Sequence, residues 1–300
     1  MKNWIYALAV CGLGISAFGQ GNATQEPSVV GITWARGFGP PPEPSAGISV
    51  AARRSPLMTY HGGKIMTTAV SDAIYWGPSW SNSTFVGDKI TGLDSWYIGF
   101  SSSNYAKTSD EYTGTNGTVG AVTTHLGHFI DLSTPGNGNS TSAILAEVCK
   151  EIVSPDPGGN GYYPVYVDKK RGNNGYCAYH SVGTCHGVTV QFAFFFNLDG
   201  DPGCDPGDTT TGHSQGLAAL ANVSGHELSE ARSAPANPGA WYDSSGAENG
   251  DKCAWTFNVP SVTFSNGTKW KIQGEWSNAA YTAGTGYPNS SGQRGCLDGH

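Results

Sequence analysis

The run Gly187-Val188-Thr189-Val190-Gln191-Phe192-Ala193-Phe194-Phe195-Phe196 alternates at first and then turns continuously apolar. Such a pattern suits a strand covered on both faces, so the chain is committed to an interior sheet. With 43 glycines and only 13% charged residues, turns and strands should outweigh long surface helices. Residues Ala69 to Trp76 carry the β-formers of another strand, stopped by Gly77-Pro78, and Tyr162 to Val167 read as a third. Thr141 to Ile152 place Ile144, Leu145 and Val148 at helical spacing. The longest helix is expected over Ser214 to Ala231, which has no Pro and whose two faces are both distinctive. Leu217, Leu220, Ala221 and Leu228 gather on one side; Ala219, Val223, His226 and Glu230 gather on the other. The expected fold is a single α/β or α+β domain. A twisted mixed β-sheet containing 187–196 would pack against the helix at 213–232, with Gly-rich loops stapled by disulfides.

Met1-Lys2-Asn3 precede a greasy stretch from Trp4 to Phe18 that ends in small residues, the layout of a signal peptide over 1–19. No later segment offers the roughly 20 apolar residues of a membrane span. A secreted, extracellular or periplasmic protein is therefore expected. With Cys11 in the leader, Cys149, Cys177, Cys185, Cys204, Cys253 and Cys296 remain, an even set that reads as a disulfide framework. Six cysteines allow 15 pairings. Cys177 with Cys185 and Cys253 with Cys296 are preferred, because the first closes a short loop and the second ties down the C-terminus. Residues 20–55 include Gly39-Pro40-Pro41-Pro42-Glu43-Pro44 and read as an extended, weakly ordered segment or a pro-segment, with Arg53-Arg54 as a processing point. The ordered domain is expected over 56–300. A net charge of -7 with no basic stripe argues against a nucleic-acid partner. A monomer acting on an extracellular polypeptide or glycan is expected instead. Of the glycosylation sequons, Asn222 falls inside the long helix, a poor place for a glycan.

The residues that could carry chemistry are centred on His226-Glu227-x-x-Glu230. His226 and Glu230 stand one above the other on a helix, with Glu227 about a quarter turn away. One imidazole and one carboxylate can then reach a metal while Glu227 takes a proton from water, a variant of the zinc-peptidase His-Glu-x-x-His pattern. A catalytic zinc wants a third protein ligand. The acidic stretch from Trp241 to Asp251 supplies Glu248 as first choice and Asp243 as second, with Tyr242 as a stabiliser of a developing oxyanion. The plain alternative is a solvated polar helix face. The same loop, and the one holding Asp199, Asp201, Asp205 and Asp208, would also suit Ca2+ or serve as ordinary polar turns. His61, His125, His128, His180, His186 and His213 have no local partner that marks them as ligands. No Gly-x-Ser-x-Gly elbow and no unpaired cysteine is left for nucleophilic catalysis.

Several segments taken in order resemble a known family: Tyr60-His61-Gly62-Gly63, Ile74-Tyr75-Trp76-Gly77, Gly175-Tyr176-Cys177, Gly183-Thr184-Cys185-His186-Gly187, and the helix after Cys204. Over roughly 56–300 the chain is similar to the EXORDIUM, or phosphate-induced protein, family of secreted proteins. Its microbial members resemble this sequence best at 226–253. That resemblance implies His226, Glu227, Glu230, Asp243, Glu248 and Asp251 as site residues. Ala234-Pro235 stands where such relatives tend to have Asp-Pro. The resemblance carries over no biochemical activity, so the expected zinc endopeptidase rests on the physics of the helix motif, with the metal site at 213–253. The competing expectation is a non-enzymatic protein that binds a wall polysaccharide or another surface ligand through its nine Trp and fourteen Tyr.

Overall fold

In the computed structural model, which describes residues 28–39, 55–236 and 239–300, the apolar run becomes strand β6 of a six-stranded mixed sheet. The strands are β1 (Val29–Trp34), β2 (Ala69–Trp76), β3 (Thr123–Asp131), β4 (Gly161–Lys170), β5 (Tyr176–Cys185) and β6 (Val188–Asn197). They lie in the order β1-β5-β6-β4-β2-β3. β6 is parallel to β4 and antiparallel to β5, so both its edges are hydrogen-bonded, and Val190 to Asn197 are buried. β5 and β6 form a hairpin whose two-residue turn is His186-Gly187, both at positive φ. That is the geometry a tight hairpin of right-handed twist requires.

The helices are α1 (Lys89–Phe100), α2 (Thr141–Glu151), α3 (Gln215–Ser233) and the short α4 (Asn249–Lys252). α3 packs against β1, β5, β6 and α1. Leu145 of α2 sits over Gly183 of β5. Gly183 is three residues from His180, hence on the opposite face of the strand. The sheet is thus covered on both sides, and the mixed α/β domain expected from the sequence is what forms.

Order begins earlier than position 56. Val29 to Trp34 pair antiparallel with β5, with Ile32 opposite Tyr179. Val29, Val30, Ile32, Thr33 and Trp34 are strong strand formers, and a long-range partner decides their state where the Pro-rich stretch that follows had dominated the composition. The leader at 1–19 and the Arg53-Arg54 pair lie outside the described residues.

Three disulfides form: Cys149–Cys185, Cys177–Cys204 and Cys253–Cys296. The last is the expected pair. Cys177 and Cys185 cannot bond to each other, because both lie in β5, where eight residues span roughly 27 Å and a disulfide tolerates no more than about 7 Å between Cα atoms. No helix among the described residues is long and apolar enough to cross a membrane.

Candidate metal centre

α3 starts at Ser214, whose hydroxyl accepts the Leu217 N–H at 3.2 Å as an N-cap. From Gly216 to Ser233 every residue is buried, so the polar stripe anticipated as solvated lies wholly inside the protein. Each of its groups then needs an internal partner. Asn222 accepts the Gln273 N–H at 2.8 Å, which leaves no room for a glycan. Ser224 bonds the Tyr166 hydroxyl at 2.7 Å, and Arg232 donates to the Ala106 and Gly120 carbonyls. His226, Glu227 and Glu230 meet one another's neighbours in a common cluster, all three fully buried.

Three elements bring donors to that cluster. From β5, His180 places Nε2 3.1 Å from Glu248 Oε2 and 3.5 Å from Glu230 Oε2. From α3, His226 Nε2 lies 2.9 Å from Glu230 Oε1. Glu248 is the N-cap of α4, and Asp251 in the first turn completes a reciprocal capping box, accepting the Glu248 N–H at 3.1 Å. Asp251 also donates its backbone N–H to Glu230 Oε1 at 3.0 Å and sets Oδ1 3.7 Å from His226 Nε2. The Cys253–Cys296 bridge follows directly and anchors this turn.

β1 contributes what is not a side chain. A Cβ built on Gly31 would stand 2.4 Å from His180 Nε2, 2.4 Å from Glu230 Oε2 and 2.5 Å from Glu248 Oε2. The three atoms therefore crowd the Gly31 Cα, where only a residue without a Cβ fits. Their 3.1–3.5 Å separations are close to the roughly 3.3 Å edge of a tetrahedron of zinc-ligand radius. Two residues on, Thr33 holds Glu227: its N–H and its hydroxyl donate to Oε1 at 3.0 and 2.5 Å. Glu227 Oε2, Glu230 Oε2, Glu248 Oε1 and His226 Nε2 have no hydrogen-bond partner although buried. Unpaired buried donors and acceptors on this scale are costly unless a cation gathers them. His180, Glu227 and Glu230, and likewise His226, Glu230 and Asp251, are groups that could hold a metal ion.

The charges reinforce one another. Burial pushes the Glu227 and Glu248 carboxyls above the usual carboxylate range, and the Glu230 charge adds to it for both. Burial also works against ionised Glu230, but the two imidazoles outweigh it and hold that carboxyl low. Burial would keep His180 neutral, yet Glu248 and Glu230 overcome it and raise the imidazole to about 10. Protons stand in for positive charge here, and a cation would compete with them for the same atoms.

Of the residues singled out by sequence, His226, Glu227, Glu230 and Glu248 come together. Asp243 does not join them: its carboxylate takes the Lys252 ammonium at 2.6 Å and the Ser245 hydroxyl at 2.6 Å. Tyr242 is turned to His61, with the rings stacked 3.6 Å apart. His180 had no local signal, since its partners are 50 and 68 positions away. His125 and His128 both face Asp94, His186 meets the Cys149 carbonyl, and His213 stacks on Trp270. In the other acidic loop, Asp199 pairs with Lys89, Asp201 with Arg171, and Asp205 and Asp208 accept from their own turns. Those carboxylates are spent on ion pairs and polar turns. No family model, curated protein or solved structure matches the chain, so the centre's own chemistry has to indicate its use.

Proposed function

We propose that this protein is a metal-dependent hydrolase, with zinc as the cation and polypeptide as the substrate. The observation that carries this reading is the gathering of His180 Nε2 with Glu248 Oε2 at 3.1 Å and Glu230 Oε2 at 3.5 Å, packed against the bare Cα of Gly31. A divalent cation held among these three side chains would supply a Lewis acid that polarises a scissile carbonyl and makes water more acidic. In this reading Glu227 acts as general base. Thr33 fixes one of its oxygens and leaves Oε2 with no partner, free to accept a proton from water and return it to the leaving amine. Its raised affinity for a proton, set by burial, suits both halves of that task.

A cleft of about 440 Å³ lies beside the centre, lined by Gly31 and Asp251 and walled by Trp34, Phe38 and Trp255. One side is the backbone of β1, which among the described residues pairs with β5 alone and so presents an outer sheet edge. An extended peptide can lie along such an edge, which favours polypeptide over glycan. The deciding experiment pairs Glu227→Gln with His180→Ala. Glu227→Gln should keep its metal and lose about 100-fold or more of the hydrolysis of a mixed peptide library. His180→Ala should lose metal. Full activity in Glu227→Gln, or wild type with no bound transition metal, would overturn the proposal.

A further inference from the structure

We infer that the centre holds two divalent cations, bridged by the Glu230 carboxylate. This rests on the single-cation reading and adds a second position, which shares only Glu230 with the first. The two oxygens of Glu230 face different imidazoles: Oε2 stands 3.5 Å from His180 Nε2 on β5, and Oε1 stands 2.9 Å from His226 Nε2 on α3 itself. Each imidazole has a second carboxylate of its own, Glu248 at 3.1 Å for His180 and Asp251 at 3.7 Å for His226. Two sets of one nitrogen and two oxygens thus sit side by side, joined by one carboxylate.

The second set has its own mark of a missing partner. His226 Nε2 is fully buried and makes no hydrogen bond, although Glu230 Oε1 is 2.9 Å away; the two atoms approach without a donor aimed at an acceptor. The ring is held by Gln273, whose amide nitrogen donates to the Gly250 carbonyl at 2.9 Å and meets Nδ1 at 3.1 Å; binding a cation at Nε2 requires the imidazole proton to move to Nδ1 and this contact to shift. Gly250 closes over the pair so tightly that a Cβ there would stand 2.9 Å from both Glu230 Oε1 and the His226 ring.

Charge balance asks for the same number. Glu227, Glu230, Glu248 and Asp251 bring four carboxylates into one enclosure, three of them nearly or fully buried and Asp251 24% exposed along its side chain. Among the described residues no lysine or arginine pairs with them: Lys252 pairs with Asp243, and Arg232 approaches Asp110 at 4.0 Å. With neutral imidazoles as ligands, one divalent cation leaves two of these four negative charges uncompensated away from water and a second offsets them; the neighbouring buried Glu275 has a donor of its own in the Tyr105 hydroxyl at 2.7 Å. Asp251 lines the cleft, so the second position opens to solvent and has a way in. A carboxylate-bridged pair is the arrangement that clamps attacking and departing groups together.

The test is metal stoichiometry. The purified protein, stripped with chelator, is titrated with Zn2+ and analysed for metal after gel filtration, and separately loaded with Mn2+ for electron paramagnetic resonance. Wild type should hold two Zn2+ per chain and give the exchange-coupled multiline signal of a Mn2+ pair. Asp251→Asn, chosen because it keeps shape at a partly exposed position, should hold one Zn2+ and give the six-line signal of isolated Mn2+. Glu230→Gln should lose both. One Zn2+ per wild-type chain, or an uncoupled Mn2+ spectrum at full loading, would overturn the two-cation centre and leave the single-cation hydrolase standing. No Zn2+ at all would sink both.

Discussion

Gly31 and His180 face each other across the β1–β5 pair, and a methyl group added to Gly31 would lie 2.4 Å from the His180 ring nitrogen. Gly31→Ala should therefore drive a methyl group into His180, Glu230 and Glu248 and push these ligands apart. Its φ is not in the left-handed region, so backbone strain does not enter. The expected outcome is loss of bound metal with the circular dichroism spectrum retained, and a stability cost of about 1–3 kcal/mol from overpacking. Elemental analysis beside a denaturant melt reads both, and undiminished metal content would contradict the assignment.

Thr33 is a positioning residue for Glu227. Thr33→Val keeps the shape and the backbone donor but removes the hydroxyl that reaches Oε1. Turnover should fall about 10- to 100-fold with metal content unchanged and KM little altered, in line with other outer-shell substitutions at metal sites. Thr33→Ser, which restores the hydroxyl, should recover most of the loss. A purely structural role would lower stability without this split.

Removing the cation should destabilise the fold, because the clustered carboxylates are then balanced by protons alone. With free metal at about 100 times its Kd, binding contributes about 3 kcal/mol. Chelator should lower Tm by several degrees, and the shift should shrink in His180→Ala. Identical melts with and without chelator would count against any resident cation.

Acid sensitivity should also appear away from the centre. Arg171 grips Asp201 with two donors at 2.7 and 2.9 Å, both side chains largely buried, and holds that carboxyl below its usual range. A depressed folded-state pKa stabilises the protein fully above the unfolded value near 4, and the contribution disappears as pH falls through the lower folded value. Arg171→Met should cost about 1–2 kcal/mol at pH 6. The gap to wild type should narrow as pH drops below 4, read from urea midpoints. A gap that stays constant would show that the pair's charge is not what is lost.

What could be read from the sequence was local. The β6 run and α3 declared themselves by periodicity, and His226, Glu227 and Glu230 by their spacing on one helix. Glu248 followed from chain proximity to the helix end. Three features depended on distant pairing. β1 is six residues long beside a Pro-rich stretch, and only β5 makes it a strand. His180 stands on a different element from every acid it meets. The Cys149–Cys185 and Cys177–Cys204 bridges follow from which face and which end of β5 each cysteine occupies. Asp243 misled because an acid in the right loop is equally suited to a nearby lysine, and Lys252 sits nine positions on.

The reach of the Thr33–Glu227 contact, across 194 positions, bears on when the centre comes into being. Contacts of such separation carry a large loop-closure cost and are expected to close after the nearer strand pairs and hairpins. Until β1 docks, Gly31 and Thr33 are absent and the acids on α3 and α4 face no opposing wall. Tight uptake of metal would then be a time stamp for completed assembly, arriving after the bulk of secondary structure rather than seeding it.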